Sequence, residues 1–405
     1  MQILVADAFS SAAQERLREA GHTVLNEPTL KGETLTAALA EHQPEALIVR
    51  STKVTPADLD ASPALELVVR AGAGVDTIDV EAASRRGIFV ANCPGKNASA
   101  VAELAWGLIL ALDRRIPDNV SEARGGRWNK KEFAGARGVK GRTLGLVGMG
   151  SIGHEMVTRA EGFGMRVVAW SRSLTPAEAD RLGVEFAPTP LDVARQSDVV
   201  SVHVASTPQT RHLIGPVFVG EMREGAFLIN TSRADVVDEA AVADALKTKG
   251  LRFATDVPAD EPQAKQTEEW HYPLHDHPSV YVTHHVGAST DEATEAIGQE
   301  AARVILTYAE TGEVCNGVNL AEQTPATHLL TVRHLDRVGV LAGVLGEMRE
   351  AGWNVQEMEN LIFAGAEAAC ARIRFDPGSE QAPDEAALDR IRQQEHVIAA
   401  KALAI

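Results

Sequence analysis

Residues 143–153, Thr143-Leu144-Gly145-Leu146-Val147-Gly148-Met149-Gly150-Ser151-Ile152-Gly153, decide the fold. A short apolar run enters a spaced glycine triplet, and a helical pattern, Ile152–Phe163, follows at once. Each glycine has its own task in such a turn. Gly148 permits the tight reversal, Gly150 lets backbone approach a pyrophosphate, and Gly153 lets the helix pack on the strand. The phosphates then meet Ser151 and Ile152, at a helix start whose N–H groups lack partners. A glycine triplet alone is a weak sign, but between a strand and a helix it predicts a dinucleotide site.

Working outward, the same alternation continues on both sides. Gln2–Ala6, Ala46–Val49, Leu67–Arg70 and Ile88–Ala91 read as buried strands, with helices Ala12–Ala20, Thr34–Glu41 and Val80–Arg86 between them. A nearly continuous apolar helix follows at Ala98–Arg114, with Asn97 as its expected N-cap. Beyond the triplet, Arg166–Trp170, Asp198–Val204, Ala226–Asn230, Phe253–Val257 and Val280–Thr283 continue a second sheet. Strands alternating with helices predict α/β architecture with two doubly wound parallel sheets. Asp291–Thr311 reads as a long helix, started by Thr290 and stopped by Gly312. Asn319–Thr327 reads as a linker. Residues 328–405 then read strand, helix, strand, strand, helix, strand, the ferredoxin-like βαββαβ order.

The 405 residues carry 45% hydrophobic and 23% charged side chains, which fits a multidomain soluble chain. A net charge of −17 argues against nucleic acid as the main partner, and it demands a local positive pocket for any anionic substrate. Cys93, Cys315 and Cys370 are too few and too scattered for a disulfide framework, so a reducing cytoplasm is expected. Met1–Asp7 lacks a basic leader region, and the longest apolar run, Leu104–Leu112, is too short for a membrane span.

Chemistry gathers just past the strand ends, where open α/β sheets bind ligands. Arg233 follows Ala226–Asn230, Glu261 follows Phe253–Val257 and His285 follows Val280–Thr283. A guanidinium can grip a carboxylate through two bonds. An imidazole can take or give a proton, and an acid on its other nitrogen fixes the tautomer. Together with a nicotinamide, these parts suit oxidation of a 2-hydroxy acid. His284 is the rival of His285; in an extended segment only one of the two would face the site. His285 is preferred because Val286-Gly287 can bring backbone close to a substrate. The strand Arg166–Trp170 ends in Ser171-Arg172-Ser173, where NAD enzymes usually place an acid, so acceptance of NADP is expected. His271, His275 and His277, with Asp276, could be read as metal ligands, but an exposed polar loop is the preferred reading.

These segments resemble the D-2-hydroxyacid dehydrogenase family. The likeness runs through Arg50–Val54, Arg70–Asp76, Asn92–Asn97, the glycine triplet and Gly287–Thr290, and the C-terminal unit, 328–405, resembles an ACT domain with His334–Leu341 as its first loop. The resemblance implies a discontinuous flavodoxin-like substrate domain (1–97 with 286–318), a Rossmann NAD(P) domain (98–285), the linker and an ACT domain. It implies oxidation of D-3-phosphoglycerate to 3-phosphohydroxypyruvate on the way to L-serine, with Arg233, Glu261 and His285 catalytic. Substrate contacts would come from Arg50, Ser51, Arg70, Ala71, Gly72 and Asn97, and from Lys130, with Lys131 nearby, in this chain or in a neighbouring subunit. Cofactor contacts would add His203, Val204, Thr207, Thr231, Ser232, Asp256 and Gly287. L-serine or another amino acid would meet His334, Asp336 and Asn354 at a domain–domain interface, in a homodimer or homotetramer.

The chain departs from the family pattern at Ser171, Ala205, Ala234-Asp235, Pro258, Asp336 and Lys130. Two other readings stand beside the first: an NADPH-dependent glyoxylate or hydroxypyruvate reductase, favoured by Ser171-Arg172, and a non-catalytic nucleotide-sensing corepressor on the same fold.

Overall fold

The apolar runs become strands buried on both faces, as parallel sheets require. The first sheet has the spatial order Thr23–Asn26, Gln2–Val5, Ala46–Val49, Leu67–Arg70, Phe89–Ala91, parallel throughout. That order is flavodoxin-like. Ile3, Val5, Ile48 and Val69 pack on one face, and Leu4, Leu47, Val49 and Val68 on the other.

The second sheet runs Val280–Val282, Arg252–Thr255, Phe227–Asn230, Val199–Val202, Thr143–Val147, Arg166–Trp170, Glu185–Phe186, again all parallel. The direction of winding reverses between Thr143–Val147 and Val199–Val202, so the glycine turn leaves the sheet at its switch point. Helix Ala98–Arg114 packs Ala102, Trp106 and Ile109 on this sheet. Asn97 does stand at its N-cap, but without a side-chain hydrogen bond. Helix Asp291–Thr311 starts at Thr290, whose hydroxyl accepts the Ala293 N–H, and ends at left-handed Gly312. It carries the chain back to the first sheet, where Ile297, Ala301 and Ile305 are buried.

This computed structural model describes every residue except 263–266, 268 and 379–381. It divides into two units, Met1–Asn319 and Leu320–Ile405. In the second unit the order is Asn354–Ile362, Ala368–Asp376, His328–Leu335, Val397–Ala404, antiparallel, with helices Val340–Glu350 and Glu385–Gln393 completing βαββαβ. Leu330, Val332, Ile373 and Phe375 meet Val344, Met348, Leu388 and Ile391 on one face.

Several elements were not foreseen. Thr23–Asn26 and Glu185–Phe186 are sheet edges, half open to solvent, and lack a continuous apolar run. Pro56–Ala61, Ile116–Arg124, Pro176–Arg181, Pro190–Gln196, Pro216–Glu221 and Glu239–Thr248 are helices too short to show strong periodicity.

Candidate active site

The glycine turn is shaped by what a side chain would strike. Gly148 has φ +111°, and a Cβ there would come within 2.3 Å of the His203 carbonyl oxygen. At Gly153 a Cβ would sit 2.6 Å from the Gly148 oxygen. At Gly150 it would meet nothing within 4 Å, so this glycine leaves open space. Helix Ser151–Gly162 begins there with no side-chain cap, and its first N–H groups remain available to an anion. Across the same edge the Thr231 hydroxyl and His203 Nδ1 are buried, with no hydrogen-bond partner among the described residues. His203 Nε2 meets the Ser201 hydroxyl at 2.8 Å, and burial pushes this imidazole down to about 3, so it is neutral. Ser232 turns its hydroxyl inward to Asn230 Oδ1 at 2.8 Å, and Thr207 is held by Thr210. Open space, free N–H groups and orphaned polar atoms fit a dinucleotide.

The Ser171 hydroxyl accepts the Leu174 N–H at 3.1 Å and so shapes its own turn. Arg172 is exposed, and among the described residues it makes no ion pair or hydrogen bond.

His285 sits on a loop clamped by a buried acid. Asp256 is 2% exposed. Its Oδ1 accepts the Thr283 hydroxyl at 2.6 Å and the Val286 N–H at 3.0 Å, and its Oδ2 accepts the Gly287 N–H at 2.8 Å. The His285 N–H donates to the Asp256 carbonyl at 2.8 Å. The segment is not extended as expected: His285 has φ +53°, a left-handed turn that the clamp imposes. His285 Nδ1 lies 2.8 and 3.0 Å from the two Glu261 carboxylate oxygens, and His284 is exposed beside it. A carboxylate on Nδ1 selects the tautomer that leaves Nε2 free to accept a proton. Both side chains are more than two-fifths exposed, so the pair adds little Coulombic stability and serves to orient the ring.

Arg233 lies among other arginines, beside Arg70. Its Nε and Nη2 are each 2.9 Å from Asp76 Oδ2, and its Nη1 donates to the Ser232 carbonyl at 2.8 Å. Arg70 Nε is buried and has no hydrogen-bond partner among the described residues. Burial, then the Arg233 cation, hold the Arg70 guanidinium below its ordinary range; Asp76 opposes this and Arg50 adds to it. Gly72 makes room for Arg70, since a Cβ would overlap the guanidinium at 1.5 Å from Nη1. Asp7 organises the neighbouring loop by accepting the N–H groups of Arg50, Ser51 and Thr52 at 2.7, 2.9 and 2.9 Å, and the Ser51 hydroxyl at 2.8 Å. Burial alone would raise the Asp7 carboxyl, but these bonds outweigh it and hold it low. Ala71 is buried, and its N–H is spent on the Val49 carbonyl at 2.7 Å.

Arg233, Arg70 and Arg50 thus converge, and His285 joins Glu261. Lys130 does not join them: it lies on the exposed 125–137 segment, with no ion pair among the described residues. Nor do His334, Asp336 and Asn354 come together within the second unit. His334 pairs with Ala369 near one end of the sheet, and Asn354 pairs with Asp376 at the other. His334 is buried, with Nδ1 donating to the Leu335 carbonyl at 2.8 Å and Nε2 3.2 Å from Asn360 Oδ1. The Asp336 N–H donates to the Glu367 carbonyl at 3.0 Å. Among the described residues no three His, Cys, Asp or Glu side chains converge as metal ligands, and no helix is long and apolar enough to cross a membrane.

Residues 106–287 match the family described as D-isomer specific 2-hydroxyacid dehydrogenase, NAD binding domain. The chain is 36% identical over 369 residues to D-3-phosphoglycerate dehydrogenase of Methanocaldococcus jannaschii, covering 90% of this chain and 68% of that one. The chain belongs to the D-isomer specific 2-hydroxyacid dehydrogenase family. A second member, D-3-phosphoglycerate dehydrogenase of Mycobacterium tuberculosis, is 38% identical over 77% of this chain and 58% of its own length. The chain therefore spans little more than half to two thirds of the curated dehydrogenases it matches. The NAD+-bound 3-phosphoglycerate dehydrogenase of Entamoeba histolytica superposes with a TM-score of 0.65 at 27% identity, over 79% of this chain and 99% of that one. Family membership supplies a nicotinamide cofactor for the glycine turn.

The acids that sequence reasoning missed or misjudged, Asp7, Asp76 and Asp256, share one signal. Each lies just past a strand: Asp256 directly after Arg252–Thr255, Asp7 one residue beyond Gln2–Val5, and Asp76 in the loop after Leu67–Arg70.

Proposed function

We propose that this chain oxidises D-3-phosphoglycerate to 3-phosphohydroxypyruvate with a nicotinamide cofactor, a step toward L-serine. One observation carries the reading: a His285–Glu261 pair and Arg233 share the carboxyl edge that bears the glycine turn, and Arg70 and Arg50, which follow strands of the first sheet, add their charge beside Arg233. The cluster answers the −17 net charge with a local cationic cleft, and its multiple guanidinium groups favour a substrate with both a carboxylate and a phosphate.

In this reading Arg233 grips the substrate carboxylate and polarises the neighbouring carbonyl oxygen. His285 Nε2 takes the C2 hydroxyl proton in oxidation and returns it in reduction. Glu261 holds the ring and stabilises the imidazolium. Arg50 and Arg70 receive the remaining negative charge. The N–H groups of Ser151 and Ile152 would hold the pyrophosphate. Bound nicotinamide supplies the hydride acceptor.

The domain assignment belongs to the same proposal: residues 1–97 with 286–318 bind substrate, 98–285 bind cofactor and 328–405 form an ACT regulatory domain. His334 and Asp336 lie at the opposite sheet end from Asn354, so an amino-acid site using all three would need a second copy of the chain.

The exposed, unpaired Arg172 favours acceptance of NADP through its 2′-phosphate, and with it a second reading, glyoxylate or hydroxypyruvate reduction. A nicotinamide absorbance assay with phosphoglycerate, glyoxylate and hydroxypyruvate against both cofactors tests all of this. Turnover of phosphoglycerate is expected. Activity on glyoxylate with none on phosphoglycerate would replace the first reading by the second, and an Arg172→Ala enzyme with unchanged NADP kcat/KM would remove the arginine's role.

A further inference from the structure

Arg233 does not stand alone in its cleft. Asp76, on a loop of the first sheet, reaches this arginine from the second and places Oδ2 2.9 Å from both Nε and Nη2. The Nη1 bond to the Ser232 carbonyl, 2.8 Å, holds the other side of the fork. A guanidinium has five N–H donors. These contacts occupy Nε and one position on each Nη, which leaves one N–H on Nη1 and one on Nη2 for a two-point grip on a carboxylate. The chain makes space for the pair with a glycine. A Cβ at Gly74 would come 2.3 Å from Arg233 Nη2 and 2.9 Å from Asp76 Oδ2. Asp76 is also the carboxylate acting on Arg70, whose other strong neighbours include the like charges of Arg233 and Arg50.

We infer that Asp76 is a positioning residue that aims the Arg233 guanidinium at the substrate and serves as the counter-ion of the arginine cluster. This rests on the proposed role of Arg233 as the carboxylate grip. Two effects oppose each other when the charge is removed. Arg233, no longer braced and repelled by its neighbours, loses its aim, and loss of alignment at a reacting centre acts on turnover. At the same time the cleft gains one net positive charge, which strengthens ground-state attraction for anions. The Asp76 side chain is 60% exposed, so the second effect is small and the first wins.

The test compares the full-length wild type with Asp76→Asn and Asp76→Glu. Kinetics use phosphoglycerate and NAD; a separate titration follows inorganic phosphate binding to the cofactor-free protein. For Asp76→Asn, kcat is expected to fall at least ~10-fold, and Asp76→Glu should recover much of it. Phosphate should bind Asp76→Asn about two- to fivefold more tightly than wild type. A misfolded or collapsed site would lose both turnover and anion binding, so the opposed directions are the signature. An Asp76→Asn enzyme of near-normal kcat, or one that binds phosphate no better than wild type, overturns the inference. A wild type inactive on every 2-hydroxy acid overturns the proposed function instead, and the phosphate titration then decides alone whether Asp76 is the cluster's counter-ion.

Discussion

The glycine turn at 148–153 and the histidine loop at 283–287 rise from one edge of one sheet, yet opposite means hold them. The turn is fixed by exclusion: backbone atoms stand where side chains would be, at Gly148 and Gly153. The loop is fixed by attraction, with a buried carboxylate collecting a hydroxyl and successive N–H groups around a left-handed histidine. A shape-built element should respond to added atoms, and a bond-built element to lost ones. In the proposed function the first sets where a cofactor lies and the second sets where a proton goes.

The largest expected effect falls on the bond-built side. His285→Ala should lower kcat by about 10²–10⁴-fold while KM for the hydroxy acid moves far less, because the lost proton transfer belongs to the transition state. Steady-state kinetics in both directions would measure it, and near-normal turnover would end the assignment. Asp256→Ala should follow. It leaves the Gly287 and Val286 N–H groups without their acceptor, at a cost of about 1–3 kcal/mol for the buried Gly287 donor and less for Val286, which water reaches. Because the ring of His285 then loses its aim, kcat should fall by roughly 10–100-fold, less than in His285→Ala. Added imidazole should rescue His285→Ala and not Asp256→Ala, which separates a missing base from a misplaced one.

A pair of substitutions then breaks or sharpens the shape argument. Gly148→Ala forces a side chain into φ +111° and against the His203 carbonyl, so it should destabilise the fold by about 1–3 kcal/mol or more. Gly150→Ala meets open space and has φ −79°, so thermal unfolding should hardly change, while KM for the dinucleotide rises. Equal losses of stability in the two variants would show that exclusion is not what distinguishes these positions.

The same contrast explains what could be read from the chain before its fold was known. Local rules are legible, so the glycine triplet, the buried strands, the helix start at Thr290 and its stop at Gly312 are all visible in sequence. The placement of Arg233, Glu261 and His285 past strand ends was visible for the same reason. Attractive contacts at long range were not. Asp7 resembles an ordinary surface acid until the first sheet brings Arg50–Thr52 to it, Asp76 until Arg233 meets it from the second sheet, and Asp256 reads only as a cofactor contact until Val286 and Gly287 prove to be its donors. His285 looked extended because its backbone is bent by a residue almost thirty positions earlier. Some local signals were simply passed over. Thr55-Pro56, Thr175-Pro176 and Thr189-Pro190 each pair an N-cap threonine with proline at the first helical turn, and each starts a short helix. The separation of His334 from Asn354 depends on strand register, which periodicity does not give.

The smallest effect extends the comparison to a third anchor, away from the chemistry. Glu300, on the helix that returns to the first sheet, collects Arg303 at 2.6 and 3.1 Å and Asn316 at 2.8 Å, with Lys96 at 3.5 Å. The Arg303 hydrogen bonds, working against burial and aided by Asn316 and Lys96, bring its carboxyl down to about 2 from 4.5. A depressed carboxyl stabilises the fold only while it is ionised. Its contribution is therefore complete above about pH 4.5, where an unfolded glutamate also ionises, and it is lost as pH falls through about 2. Glu300→Gln should lower Tm modestly near neutral pH, and the gap from wild type should shrink steadily below pH 4.5. The variant should keep its kcat, since Glu300 touches neither the histidine loop nor the arginine cluster among the described contacts. A gap in Tm that stays constant down to pH 2 would mean that Glu300 acts through packing and not through charge.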